Sequence, residues 1–449
     1  MSRAPDRLRK TADSERLFSP SAVVASCVGF VLIGALQSLY GPAIPALRKD
    51  FGLSPSGAGL GLSAHFIGGV VGVLAFDRIQ GRVGNRMLLG TSYSLMAAGS
   101  LTFALAPNWP LALLAALVTG FGFGGIDYGL NQLFAIGFGR RSPAMLNILN
   151  AHFGIGAIAG PAVIGLLGAD HYPAVFAGFA VLAASLLFSL RGVRDREAPP
   201  GDAAGGTTAG TATGAARPGP SRMRRTGPLL GAFVLLYVFH VGVEAGVGGW
   251  EPTHLETVGY GTAVAASATS VYWLMMTVGR FLVAPLTLRW SEPAIIIVSC
   301  AGMTVCLLLA VVPGLAPYAY AGVGLFIAPI FPTGLPWLNR AVPAARRAGA
   351  LVIAASMVGG VAAGPALGKA IELSGVRAVP VVLGVLAAIC LVTTWWLARV
   401  TRGGGEVLVA ASAPASSPAP ASTSALAPAP DLPLETGPRP GAVAGERDL

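Results

Sequence analysis

Two carboxylates stand inside long apolar runs of this sequence: Asp127 in GFGFGGIDYGLNQ and Glu244 in YVFHVGVEAGVGG. A charged group at the centre of a hydrocarbon layer costs roughly 2.5–3.5 kcal/mol on insertion scales, so each needs a purpose or a partner. In a helix, Asn131 falls one turn after Asp127 on the same face, with Tyr128 beside it. Asp127 and Asn131 together offer acceptors and donors to a hydroxyl-rich ligand; alternatively Asp127 is protonated or bonded to a neighbouring helix. His240 stands one turn before Glu244, a spacing that lets imidazole and carboxylate share a proton between about pH 5 and pH 8. The alternative is a His240 that only hydrogen-bonds within its bundle. Tyr40 and Trp337 offer aromatic faces to the C–H face of a sugar ring, or else pack. His65 and His152 are expected to pack, Trp250 to sit in an interfacial belt, and Glu251 and Glu256 to be solvated charges at a helix end.

Other chemistries find no support. G-x-x-x-x-G-K-[ST], H-E-x-x-H and G-x-S-x-G are absent, so neither ATP coupling nor a familiar hydrolase is indicated. Cys27, Cys300, Cys306 and Cys390 all fall in apolar stretches without C-x-x-C spacing, so no metal site or disulfide framework is expected.

The elements that must position these residues follow from composition. Of 449 residues only 11% are charged, against about a quarter in soluble globular proteins. Hydrophobic residues make up 54% and the mean hydropathy is +0.68. A soluble enzyme and a disordered chain are both excluded; the composition is that of a membrane protein.

Helices crossing a core of about 30 Å need about 20 apolar residues each. Twelve such stretches read as 21–44, 57–78, 87–106, 110–137, 144–168, 172–190, 228–250, 263–288, 293–312, 316–338, 348–372 and 378–398. The first is too long for a signal-peptide core and is read as a retained helix. The expected organisation is a cytoplasmic segment 1–20, a six-helix bundle 21–190, a flexible linker 191–227, a second bundle 228–399 and an Ala/Pro-rich disordered tail 400–449. With the N-terminus inside, 23 of the 30 Lys and Arg fall on the inner side and four on the outer. By the positive-inside rule both termini are cytoplasmic. The net charge of +10 is thereby accounted for without nucleic acid. Pro329, Pro332 and Pro336 should break the tenth helix, as happens where helices line a cavity.

The halves echo each other: Gly156, Gly160 and Pro161 in GAIAGPAVIG reappear 204 residues later as Gly360, Gly364 and Pro365 in GVAAGPALGK, and the same offset carries Gly120 onto Gly324. These glycines are expected to serve close helix packing. Such a chain, all-α with twelve transmembrane helices in two pseudo-symmetric six-helix bundles, resembles the major facilitator superfamily over about residues 20–400. The stretch Gly72–Arg86, with Asp77, Arg78, Arg82, Gly84 and Arg86, resembles that family's loop motif between helices two and three, although Gly81 stands where the family usually has an acid. Gly279-Arg280 in helix eight is also family-like. The resemblance implies that these residues form a cytoplasmic gate. A narrower likeness to the fucose permease-like branch rests on Gly120–Asn131, Leu146-Asn147, His152–Gly156 and Gly242–Trp250. The branch has an acid at the place of Asp127, implicated in substrate binding and proton coupling. The aspartate it has in helix one is missing here, where the chain reads Tyr40-Gly41-Pro42, and either Asn147 or Asn150 fits its helix-five asparagine.

The resemblance implies a secondary active transporter of the inner or plasma membrane, working by alternating access around a site lined by helices one, four, seven and ten. It needs no cofactor beyond a proton gradient. Its partners are a small-molecule substrate and the lipid bilayer, and it is expected to act as a monomer and not as an enzyme. Proton-coupled uptake of a small polar solute such as a sugar is the favoured reading. Efflux of drugs or metabolites is the alternative, and a transporter-like receptor the rival from another class.

Overall fold

A computed structural model of the chain describes residues 17–138, 141–194, 220–342 and 348–412. Most of the expected N-terminal segment, linker and tail lies outside these residues. Among the described residues helices are the only regular elements, apart from two isolated bridges. This is what a lipid environment imposes: each backbone N–H and C=O must be satisfied inside its own segment.

The first half holds α1 (Pro20–Phe51), α2 (Pro55–Ile79), α3 (Asn85–Ala104), α4 (Trp109–Gly137), α5 (Ser142–Leu167) and α6 (Tyr172–Leu186). The second holds α7 (Pro220–Thr257), α8 (Thr262–Leu286), α9 (Glu292–Leu309), α10 (Ala316–Ile327), α11 (Ile330–Ala341), α12 (Ala348–Ser374) and α13 (Ala378–Ser412). The helix starts are written locally. Ser19 Oγ accepts from the Ala22 N–H at 3.2 Å, Ser54 Oγ from Gly57 at 3.1 Å and Asn108 Oδ1 from Leu111 at 3.1 Å, each worth about 1 kcal/mol. Prolines follow at the first turn, where a missing N–H costs nothing. α10 and α11 are one span interrupted at Ala328-Pro329, the break expected from its prolines. With these two counted together, the twelve expected spans are all present.

Each half has its own core. Phe30, Tyr40, Tyr93, Phe103, Phe134 and Phe176 fill the first, and Phe233, Tyr237, Trp250, Tyr272, Tyr320 and Trp337 fill the second. Val24, Val181, Phe281, Val305 and Val392 stay exposed along their helices, as side chains facing lipid do.

Take the end carrying Pro20 as the N face and the opposite end as the far face. In its far-face part the seam between the halves is shut, backbone against backbone. A Cβ on Gly59 of α2 would overlap the Gly364 carbonyl of α12, and one on Gly41 of α1 the Gly248 carbonyl of α7. Ser63 Oγ donates to the Val361 carbonyl at 2.5 Å. Small residues permit this approach, and packing with hydrogen bonds holds it where no hydrophobic drive exists between lipid-embedded helices. Along α5 and α8, Gly165 faces Ala263 and Ser267, and Gly154 faces Thr277.

The echoed glycines part company in use. Gly156 and Gly160 seat α5 on Val31, Ala35 and Ser38 of α1, inside the first half. Gly360 meets Phe66, and Gly364 meets Gly59, both on α2 and therefore across the seam. Pro161 and Pro365 lie inside their helices as expected.

Candidate functional site: a cavity between the halves

In the N-face part of the seam the halves separate around a cavity of ≈ 500 Å³. Val70, Val73, Leu74 and Asp77 of α2, Asp127, Tyr128, Asn131, Gln132 and Ala135 of α4, Leu146 of α5 and Met357 of α12 line it. The resemblance implied helices one, four, seven and ten; of these only the fourth contributes. α1 and α7 meet each other instead, crossing at Gly41 and Gly248 in the far-face part of the seam. The broken tenth span does not reach this cavity either. Pro329 instead lines a separate apolar groove of ≈ 220 Å³ with Gly279, Leu282, Trp290 and Phe326.

Asp127 and Asn131 meet as their spacing requires. Asn131 Nδ2 donates to Asp127 Oδ1 at 3.1 Å and to the Asp127 carbonyl at 2.9 Å. Asn150 Nδ2 of α5 donates to Asn131 Oδ1 at 3.1 Å. A polar chain therefore runs from α4 to α5, and between Asn147 and Asn150 it is Asn150 that joins it. The Tyr128 hydroxyl donates to Asp77 Oδ1 at 2.5 Å and lies 2.7 Å from the Gln80 side-chain amide. Tyr128 thus ties the cavity wall to the end of α2.

The loop after α2 is held from the other side. Arg86 donates through Nε to the Val193 carbonyl and through Nη2 to the Arg191 carbonyl at 2.9 Å, while Asn85 Nδ2 reaches the Arg194 carbonyl at 3.2 Å. Arg78 and Arg82 are exposed. Gly84 caps α3, and Gly81 has φ +84°, a left-handed conformation that explains a glycine where the family usually has an acid.

His240 and Glu244 also meet: His240 Nε2 lies 3.6 Å from Glu244 Oε2. Arg280 of α8 is close enough for its charge to bear on both, and Tyr272 Oη lies 3.4 Å from the Glu244 carbonyl. This cluster belongs to the second half and is not part of the cavity wall.

Tyr40 and Trp337 do not face the cavity. Tyr40 is buried in the first core, its ring 5.1 Å from that of His65 and 5.5 Å from those of Phe103 and Phe176. Trp337 packs edge-on against Phe233 at 5.0 Å. Stacking on a solute is closed to both in this conformation. Trp250 is no belt residue either: it is fully buried and donates Nε1 to the Gly364 carbonyl at 3.0 Å. Glu251, expected as a solvated end charge, has no exposed surface at all. Sequence reasoning passed over Gln132 and Met357, whose only signal is position: Gln132 follows Asn131, and Met357 lies one turn before Gly360 and Val361, which face α2.

The model of the Major Facilitator Superfamily matches residues 26–327. An arabinose-proton symporter of Bacillus subtilis is 30% identical over 128 residues, 28% of either chain. A thioclapurine efflux transporter of Claviceps purpurea is 27% identical over 145 residues, 32% of this chain and 26% of its own. The matched stretch thus spans about a quarter of the length of these relatives. A crystal structure of a D-xylose-proton symporter superposes with a TM-score of 0.68 at 14% identity, covering 84% of this chain and 96% of that one. The match over most of the helical region places the chain in one family: it belongs to the Major Facilitator Superfamily and is a multi-pass membrane protein.

Proposed function

We infer that this protein moves a small solute by alternating access, with the cavity around Asp127 as its binding site. The observation that carries the reading is the polar chain Asp127–Asn131–Asn150 on the wall of a cavity between the halves, behind a sealed far face. The cation count makes the N face cytoplasmic, so the conformation is inward-facing and both termini lie inside. The polar wall of α4 suits hydroxyl groups, and the apolar residues of α2 and α12 suit the C–H face of a ring. A sugar or similar polyol has both. Relatives named for arabinose-proton and D-xylose-proton symport support this class. Asp127, the one carboxylate bonded into the polar chain, is the group to take the coupling proton during uptake. Asp77, Tyr128, Arg82 and Arg86 control the cytoplasmic rim, and Glu244 with His240 and Arg280 forms a second charged site.

A second reading, efflux of an apolar metabolite, is favoured by the wall itself: Val70, Val73, Leu74, Ala135, Leu146 and Met357 are apolar, and one relative is an efflux transporter. Substrate-driven proton movement in proteoliposomes, across pentoses, hexoses, nucleosides and lipophilic cations, separates the two. Sugar-dependent alkalinisation outside supports symport; a response to lipophilic cations alone overturns it.

A further inference from the structure

The two halves provide an internal control on which buried polar groups the fold needs. Gly41 and Gly248 touch at the crossing of α1 and α7. The same 207-residue offset matches Pro45 to Pro252 and the positive-φ glycines Gly52 and Gly259. It also carries His65, whose carbonyl backs Gly120, onto Tyr272, whose carbonyl backs Gly324. Three positions under this register, and a fourth at the offset of 204, are apolar and buried in the first half and polar in the second. Ile44 becomes Glu251, Leu47 becomes His254 and Leu62 becomes Thr269; at the fourth-helix offset of 204, Ala116 becomes Tyr320. The fold does not require polarity at these positions, since the first half fills them with apolar side chains.

The four polar groups form one cluster. His254 Nδ1 lies 3.0 Å from Tyr320 Oη. The Thr269 hydroxyl faces the Glu251 carboxyl from α8, short of good hydrogen-bond geometry, and Tyr272 and Tyr320 are within reach of its charge. Glu251 is 0% exposed, and among the described residues neither of its oxygens has a hydrogen-bond partner; His254 Nε2 and Thr269 Oγ1 are likewise unmatched. Three cations of the surrounding helices are committed elsewhere. Lys369 of α12 pairs with Glu372, Lys49 of α1 pairs with Asp170, and Arg48 bonds the Leu53 carbonyl. Asp50 faces Tyr172, Arg280 of α8 bears on His240 and Glu244, and Arg377 bears on His254 within the cluster itself. An ionised carboxylate that is fully buried without a hydrogen-bonding or charged partner is strongly disfavoured.

We propose that Glu251 is a proton-binding site remote from the solute cavity, occupied while the far face is shut and emptied when it opens. Its position supplies the link. Gly248, one turn earlier on α7, abuts Gly41 across the seam, and the adjacent Trp250 is bonded to the Gly364 carbonyl, which itself backs Gly59. Parting the seam pulls on both neighbours and admits water to the carboxyl. The proton leaves to that water as hydronium, and Glu251 becomes a solvated carboxylate. Low pH therefore holds the far face shut and high pH favours its opening. One linked proton changes the ratio of the two states by at most about tenfold per pH unit.

The inference rests on the alternating-access reading but needs no solute, so its test uses none. Spin labels at Leu60→Cys and Leu373→Cys, exposed positions on α2 and α12 near the far face, report its opening in the full chain in lipid nanodiscs, with Cys306 replaced. The wild-type distance should lengthen as pH rises from about 5 to about 8. Glu251→Gln should stay short throughout, and infrared spectra should lose one protonated-carboxyl C=O band. If Glu251→Gln does not fold, Tyr320→Phe keeps the carboxyl and should displace the midpoint of the pH response. A distance in Glu251→Gln that follows pH as the wild type does, or a midpoint unmoved in Tyr320→Phe, overturns the proposal. A wild-type distance indifferent to pH does the same. If Gly364→Ala, which forces the seam, also stays short, the alternating-access reading falls with it.

Discussion

Ser56 and Glu372 fasten the halves together at the far face: Glu372 Oε1 accepts from the Ser56 N–H at 2.9 Å and from Ser56 Oγ at 2.5 Å. Ser56 lies in the first turn of α2, where N–H groups have no intrahelical partner, so a carboxylate brought by α12 meets both an open donor and the positive end of a helix. Lys369 holds the other oxygen at 3.0 Å. Glu372→Ala should therefore open the far face more often. A cysteine at Ser63, buried in the seam, should react several-fold faster with a maleimide in that background. Ser56→Ala, which keeps the backbone N–H, should give a smaller increase.

Gly364 allows close approach in that seam, because a methyl there would overlap the Gly59 carbonyl. Overpacking of this kind costs typically 1–3 kcal/mol, and here the cost falls on the closed state alone. Gly364→Ala should shift the population toward the far-face-open form by about tenfold or more, read by the same Ser63→Cys labelling. Gly160→Ala, which strains α5 against α1 within one half, should lower the melting temperature without that shift.

These contrasts mark what was legible in the chain. The twelve spans, the break at Pro329 and the meeting of Asp127 with Asn131 and of His240 with Glu244 follow from run length, proline and helical spacing, all local properties. Which way a helix is turned is not local. Tyr40 and Trp337 point into their own cores because of how α1 and α11 are rotated by their neighbours. Glu251 next to Pro252 has the look of a loop end, and only the packing of α8 and α10 over it makes it a buried group. The repeated G-x-x-x-G-P was visible, but its two copies face different helices, and nothing in the motif distinguishes them.

Arg86, in the first turn of α3, clamps that helix start to the segment that follows α6 through two carbonyl bonds. A planar guanidinium makes both at once and an ammonium does not. Arg86→Ala should lose about 1–3 kcal/mol of stability, and Arg86→Lys should recover less than half of it. Thermal unfolding in detergent measures both. Gly81→Ala, which must hold φ +84°, should cost about 1 kcal/mol by the same assay.

The polar chain across the cavity separates binding from coupling. Asp127→Asn keeps an acceptor for Asn131 Nδ2 and nearly the same volume but removes the titratable charge. Uphill accumulation of solute should be abolished, while solute exchange at equal concentrations continues at a rate within a few-fold of the wild type. Asn131→Leu removes both the donor to Asp127 and the acceptor for Asn150. Unmatched polar groups then remain on the wall, each costing about 1–3 kcal/mol, so solute affinity should fall about tenfold to a hundredfold. Counterflow and gradient-driven uptake in the same proteoliposomes measure the two effects. Full proton-driven accumulation by Asp127→Asn would remove Asp127 from coupling and leave Glu244 or Glu251 to carry it.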